Sequence, residues 1–217
     1  MNQELPTAWL FTFPGPSEFF SSLYHASPGR DLIVAVDNGL QCLHESGLKP
    51  DLIIGDMDSV SPELLARYAD TPRLAYPVRK NETDTQLAIQ WCIDEARVKQ
   101  IVIVNSLEGR FDHALALVQN LGFLAERGVP ACIVSARQQV FFLEERTEIS
   151  ACAGCLLSLL AWDGAARFLH SEGLEYPLDG LSWSQQTTRG ISNRVLSATA
   201  VIQLGEGRVL AILTKSD

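Results

Sequence analysis

Along the first 135 or so residues, short apolar runs alternate with amphipathic stretches. Residues 9–13, 32–36, 52–54, 101–104 and 131–134 are almost continuously apolar. Runs of that length without polar alternation predict strands buried on both faces, as in a parallel sheet covered by helices. The stretches between them carry helix signals. Ser61-Pro62-Glu63 supplies an N-cap, a proline at the first helical position and an acid in the first turn. Thr83-Asp84-Thr85-Gln86 reads as a capping box that sets Leu87, Ala88, Trp91 and Cys92 on one face. Asp112 is placed to cap a longer helix along which Leu115, Val118, Leu121 and Ala125 recur. This alternation predicts an open α/β sheet.

After about residue 137 the rhythm changes. Residues 140–143, 155–161, 166–169, 198–204 and 209–213 read as strands, with Gly205-Glu206-Gly207 as a hairpin turn between the last two. The expected architecture is therefore an open, mostly parallel α/β domain over residues 1–136. A small β-sandwich domain follows over residues 137–217.

Charge narrows the partners. Twenty-six acidic against 17 basic residues give a formal charge of −9, which works against a nucleic acid or an anionic membrane surface. The longest apolar stretch, residues 155–162, is interrupted by Ser158 and is too short to span a bilayer. Glu4 and the lack of a basic segment before an apolar run speak against a secretory signal. Five cysteines, an odd number, suit the reducing cytoplasm. Cys152 and Cys155 form a C-x-x-C without further ligands nearby, in a β-rich stretch, and read as buried structural thiols.

The chemistry lies in four acidic motifs that follow strands or open helices. They are Val36-Asp37-Asn38-Gly39, Gly55-Asp56-Met57-Asp58-Ser59, Thr83-Asp84 and Gly109-Arg110-Phe111-Asp112-His113. Ligands of open α/β sheets bind beyond the carboxyl ends of the strands, so these acids can converge on one crevice. Gathered carboxylates repel one another, and Mg²⁺ removes the conflict with oxygen ligands while neutralising a polyphosphate. Singly, each motif has a plainer reading. Asp37-Asn38-Gly39 makes a turn, Asp84 and Asp112 suit helix N-termini, and Arg110 with Asp112 makes a surface ion pair. The chain has neither a Walker-type loop nor a Gly-x-Gly-x-x-Gly. Phosphates would then fall to metal, to Lys80 or Arg110, and to helix N-termini. Of the four histidines, only His113 stands beside this chemistry.

In this order the motifs resemble the thiamine pyrophosphokinase family, from about Leu32 to Leu213. To those above are added Pro50-Asp51-Leu52-Ile53-Ile54 before Gly55 and Lys80-Asn81-Glu82 before Thr83. In the β-rich part, Gly173-Leu174-Glu175-Tyr176-Pro177-Leu178 and Gly190-Ile191-Ser192-Asn193 look like the family's thiamine-side motifs. The resemblance implies Mg²⁺-dependent conversion of thiamine and ATP to thiamine diphosphate and AMP, by a homodimer that binds thiamine at its subunit interface. It implies a nucleotide-binding catalytic first domain and a thiamine-binding second one. By that analogy Asp37, Asp56, Asp58 and Asp84 serve metal and phosphate, and Arg110 and Asp112 line the same site. Asn38, Ser59, Lys80, Thr83 and His113 fall on the nucleotide side. Tyr176 would stack on the thiamine ring, and Ser192 and Asn193 would hydrogen-bond to it.

Three departures stand out. The family's usual Asp-Gly-Gly is Asp37-Asn38-Gly39 here, with Asn38 suited to a left-handed turn. Asn81 replaces a common Asp, and Asn105-Ser106-Leu107-Glu108 replaces a Gly-rich approach. Two alternatives follow: a thiamine or nucleotide binder weakened at Asn81 or Glu108, and an Asp-x-Asp nucleotide-sugar transferase built on Asp56 and Asp58.

Overall fold

A computed structural model describes residues 7–12, 31–150 and 153–215, and divides into two compact units, Met1–Ala136 and Arg137–Asp217. The first unit holds strands β1 (Thr7–Phe11), β2 (Leu32–Val36), β3 (Leu52–Gly55), β4 (Arg73–Ala75), β5 (Gln100–Val104) and β6 (Ala131–Val134). Within it the sheet order is β6-β5-β1-β2-β3-β4, and every pairing is parallel. Ile53 and Ile54 are both fully buried although adjacent strand side chains point to opposite faces, so this sheet is covered on both sides. Burial of each such side chain contributes about 1.5–3 kcal/mol. The strand assignment for residues 9–13 ends at Phe11, and Phe13 lies outside the described residues.

The helices are α1 (Gly39–Glu45), α2 (Pro62–Arg67), α3 (Asp84–Asp94) and α4 (Phe111–Glu126). Ser61 caps α2 and Thr83 caps α3, each side-chain oxygen accepting from a backbone N–H three residues on. α3 buries Ala88, Ile89 and Cys92 against β1–β3, while Leu87 and Trp91 are only half-buried. Burial pushes the Cys92 thiol up to about 12, which leaves it inert. Two expectations for α4 are corrected. Its N-cap is Arg110, with Asp112 in the first turn, and its buried stripe is Leu117, Asn120, Leu121 and Leu124. Leu115 is exposed. Apolar residues lie almost all round this helix, so periodicity alone does not pick the inward face.

The second unit is antiparallel: β7 (Gln138–Phe142), β8 (Arg146–Ser150), β9 (Leu156–Glu172), β10 (Ser182–Ser184), β11 (Asn193–Arg194) and β12 (Thr199–Thr214). The four strands expected over residues 155–169 and 198–213 are two long ones, β9 and β12, paired along their length. No hairpin turn forms at Gly205-Glu206-Gly207; the register shifts there through bulges. The burial parity changes with it. In β12 Ala200, Ile202 and Leu204 are buried before the bulge, and Val209, Ala211 and Leu213 after it. In β9 the parity breaks between Ala161 and Ala166, around the left-handed Asp163 and Gly164. Both strands therefore turn together, and both halves feed one core with Ile149, Leu157, Phe168 and Leu213. Gly207, at φ +83°, sits where a Cβ would strike the Ala165 carbonyl. Cys155 is disulfide-bonded, which corrects its reading as a thiol, and Cys152 lies outside the described residues. Among the described residues no helix is long and apolar enough to cross a membrane.

Candidate active site

Strand register builds the site. Val36 of β2 pairs with Ile54 of β3, so Asp37 and Asp56 emerge side by side at the carboxyl ends of two neighbouring strands. Asp84 reaches them from the first turn of α3, which packs on β3. One carboxylate oxygen from each of Asp37, Asp56 and Asp84 lies within 4.8 Å of the others. The backbone is bent to achieve this. Asp37 (φ +47°) and Met57 (φ +60°) are both left-handed without being glycine, which costs about 1–3 kcal/mol each. Asp37 N–H donates to Ile54 O at 3.0 Å, and Met57 N–H donates to Asp37 Oδ1 at 3.3 Å. Asn38, expected to take the left-handed turn, is right-handed; Asp37 takes that role.

The electrostatics are those of crowded acids. Burial, and then the charge of Asp84, push Asp37 up to about 7. Asp56 is held below its ordinary value, first by the N–H of Asp58 (3.2 Å to Oδ1) and then by Lys80, against the effect of burial. Lys80 Nζ lies 3.2 Å from Asp56 Oδ2, 2.8 Å from Asp84 Oδ2 and 3.3 Å from the Pro77 carbonyl. Burial alone would lower Lys80, but those two carboxylates hold it above its ordinary value. Asp84 Oδ1 is buried with no hydrogen-bond partner. A cluster of three carboxylates in which one buried oxygen lacks a hydrogen-bond partner fits a hard divalent cation, so Asp37, Asp56 and Asp84 are the residues that would hold one.

The other expected residues fall outside that triad. Asp58 is exposed at its rim, its carboxyl pushed up chiefly by the charge of Asp56. Ser59 is an exposed turn residue, and the Thr83 hydroxyl is occupied as a cap. Asn38 stands at the N-cap of α1 without a side-chain cap bond. Arg110 and Asp112 form a bidentate pair of 3.1 and 2.6 Å, both exposed, which holds Asp112 below its ordinary value. His113 is exposed on the same turn. Buried Asn105 was not read as a site residue from the sequence. It donates to Thr12 Oγ1 at 2.9 Å and accepts from Leu107 N–H at 2.8 Å, shaping the loop that leads from β5 to Arg110.

The second unit has its own cavity, of about 350 Å³, lined by residues including Tyr176, Leu178, Trp183, Arg189, Ile191 and Asn193. Tyr176 is 62 % exposed. Asn193 is buried and grips the Tyr176 backbone from both ends of its amide, accepting its N–H at 3.0 Å and donating to its carbonyl at 2.8 Å. Ser192 is exposed, left-handed at φ +57°, and donates its N–H to Ser158 Oγ; it does not line the cavity. Trp183 stacks on Phe168 at 4.4 Å, and its buried indole N–H has no partner among the described residues.

Comparison with known proteins places the chain in a family. The family model described as thiamin pyrophosphokinase, catalytic domain, matches residues 25–133. The thiamine pyrophosphokinase of Bacillus subtilis is 24% identical over 202 residues, spanning 91% of this chain and 94% of the relative. The crystal structure of that name from Bacillus subtilis superposes with a TM-score of 0.85 at 21% identity, covering 97% of this chain and 100% of the other. The thiamin pyrophosphokinase structure from Geobacillus thermodenitrificans gives 0.82 at 25% identity, over 97% and 98%.

Proposed function

Because the chain belongs to the thiamin pyrophosphokinase family, we propose that it moves the β,γ-pyrophosphoryl group of ATP to the hydroxyl of thiamine. In that reaction a bond forms between the hydroxyl oxygen and the β-phosphorus. The bond from the β-phosphorus to the α,β-bridging oxygen breaks, AMP departs and the hydroxyl proton is released. The observation that carries the proposal is the triad Asp37, Asp56 and Asp84 with the orphaned Asp84 Oδ1. These three carboxylates would hold Mg²⁺, which when bound neutralises charge on the polyphosphate.

The chain's own groups do the positioning. Asp58 supplies the N–H that steadies Asp56. Arg110, at the start of α4, is the exposed cation offered to ATP, and Asp112 sets its orientation through the paired contacts. His113, Asn38, Ser59 and Thr83 line the nucleotide side. In the second unit, Tyr176 offers an aromatic face to the cationic thiazolium. Asn193 holds the Tyr176 backbone in place, and Ser192 is the polar partner of the pyrimidine. Exposed Tyr176, Ile191 and Leu196 support a homodimer that covers this surface and completes the thiamine site. The proposal places the enzyme in the cytoplasm, where ATP is abundant. AMP release with ATP and Mg²⁺ tests it: release that requires thiamine supports the reading, and release indifferent to thiamine rejects it.

A further inference from the structure

An ammonium group has three hydrogens, and the protein supplies Lys80 with three acceptors. They are Asp84 Oδ2 at 2.8 Å, Asp56 Oδ2 at 3.2 Å and the Pro77 carbonyl at 3.3 Å. The Lys80 side chain is only 11% exposed. To grip a polyphosphate it would have to surrender one of these bonds. The contacts instead divide the two carboxylates. Asp56 is held at both oxygens, Oδ2 by Lys80 and Oδ1 by the Asp58 N–H. Asp84 is held at Oδ2, which leaves Oδ1 buried, fixed and unpaired within the cluster. Pro77 anchors the ammonium to the segment that precedes α3.

We infer that Lys80 is a positioning residue for the carboxylate triad: it holds Asp56 and Asp84 in the arrangement that accepts a divalent cation, rather than binding phosphate. This rests on the functional reading above. Its consequence runs against simple Coulomb expectation. A nearby positive charge repels a metal ion, so deleting it should tighten metal binding if charge were the whole effect. Loss of an orienting partner has the opposite sign, because outer-sphere contacts of metal ligands typically contribute roughly 10–100-fold in affinity.

The test titrates Mn²⁺, as a paramagnetic probe of the Mg²⁺ site, into the full chain without nucleotide, reading free Mn²⁺ by electron paramagnetic resonance. Wild type, Lys80→Met and Lys80→Arg are compared, and metal-free tripolyphosphate binding is measured on each. The inference expects Lys80→Met to weaken Mn²⁺ binding by roughly 10–100-fold and to leave tripolyphosphate binding unchanged. Lys80→Arg, which keeps donors for both carboxylates, should stay within a few-fold of wild type. Mn²⁺ binding by Lys80→Met as tight as wild type or tighter, or a loss of tripolyphosphate binding, overturns it. Wild type that fails to bind Mn²⁺ saturably would instead sink the metal reading itself, and the inference with it. If circular dichroism shows Lys80→Met unfolded, Lys80→Gln decides the same comparison.

Discussion

The carboxylate of Asp37 occupies the space that a side chain at residue 55 would need: a Cβ on Gly55 would collide with Asp37 Oδ1. Gly55 is also at φ +141°, open to glycine almost alone. The last residue of β3 thus gives up its side chain so that the acid after β2 can reach the cluster. Gly55→Ala should destabilise the protein by about 1–3 kcal/mol and abolish most activity by displacing Asp37. Denaturant unfolding and steady-state turnover on the same sample check both; an alanine variant of full stability and activity contradicts the packing.

Asp37 is expected to trade stability for function. Its carboxyl titrates at about 7 in the folded protein against an ordinary 3.8. Below about pH 3.8 both folded and unfolded chains hold the proton, so the shift costs nothing there. As pH climbs to about 7 only the unfolded chain ionises, and the folded state loses ground throughout that window. In chelator, Asp37→Asn should therefore melt higher than wild type at pH 8, with the advantage shrinking towards pH 4. Added Mg²⁺ should raise the wild-type midpoint and leave the variant's unmoved. Thermal melts across pH, with and without Mg²⁺, decide both.

His170 gives the second unit a pH dependence of the same sign by another route, a favourable contact that is lost as pH rises. It lies 3.0 Å from Glu172 and 2.6 Å from Asp179, and these two partners raise it above its ordinary 6.5. The stabilisation is fully present below pH 6.5 and fades as pH rises through the raised value. A His170→Gln variant should melt lower than wild type at pH 5.5 and match it at pH 9. Equal melting temperatures at both pH values would count against the ion pair.

Asn193 and Tyr176 separate structure from binding. Asn193→Ala strands the Tyr176 N–H and carbonyl, and should cost about 1–3 kcal/mol as well as raising the KM for thiamine. Tyr176→Ala removes an exposed ring, so it should leave stability nearly intact and raise KM more than it lowers kcat. Unchanged thiamine kinetics in both variants would remove this surface from the thiamine site.

The sequence exposed what repeats and hid what depends on partners. Buried runs marked β2, β3, β5 and β6 because a covered parallel strand needs unbroken apolar side chains. Arg73–Ala75 escaped because an edge strand of three residues, with Arg73 and Ala75 exposed, carries no apolar run. β9 and β12 looked like four strands because their burial parity breaks at the bulges, just as it would at a turn. The acids at strand ends were legible, but among the described residues the fold gathers Asp37, Asp56 and Asp84, and leaves Asp58 at the rim and Asp112 exposed outside the triad. Pro77 and Asp84 lie within one helical turn of Lys80 in sequence, but local spacing could not show that Lys80 also reaches Asp56, or that Asn193 grips Tyr176, because those contacts join residues that only the fold brings together.

The most direct measurement follows the phosphorus. Purified protein is given thiamine, Mg²⁺ and ATP labelled at the β-phosphorus, and the products are separated by chromatography. Transfer of the pyrophosphoryl group as one unit predicts that the label appears in thiamine diphosphate, in equal amount to AMP, and that chelator or Asp84→Asn suppresses both. Label that moves into ADP or free pyrophosphate, with none in thiamine diphosphate, would contradict the account.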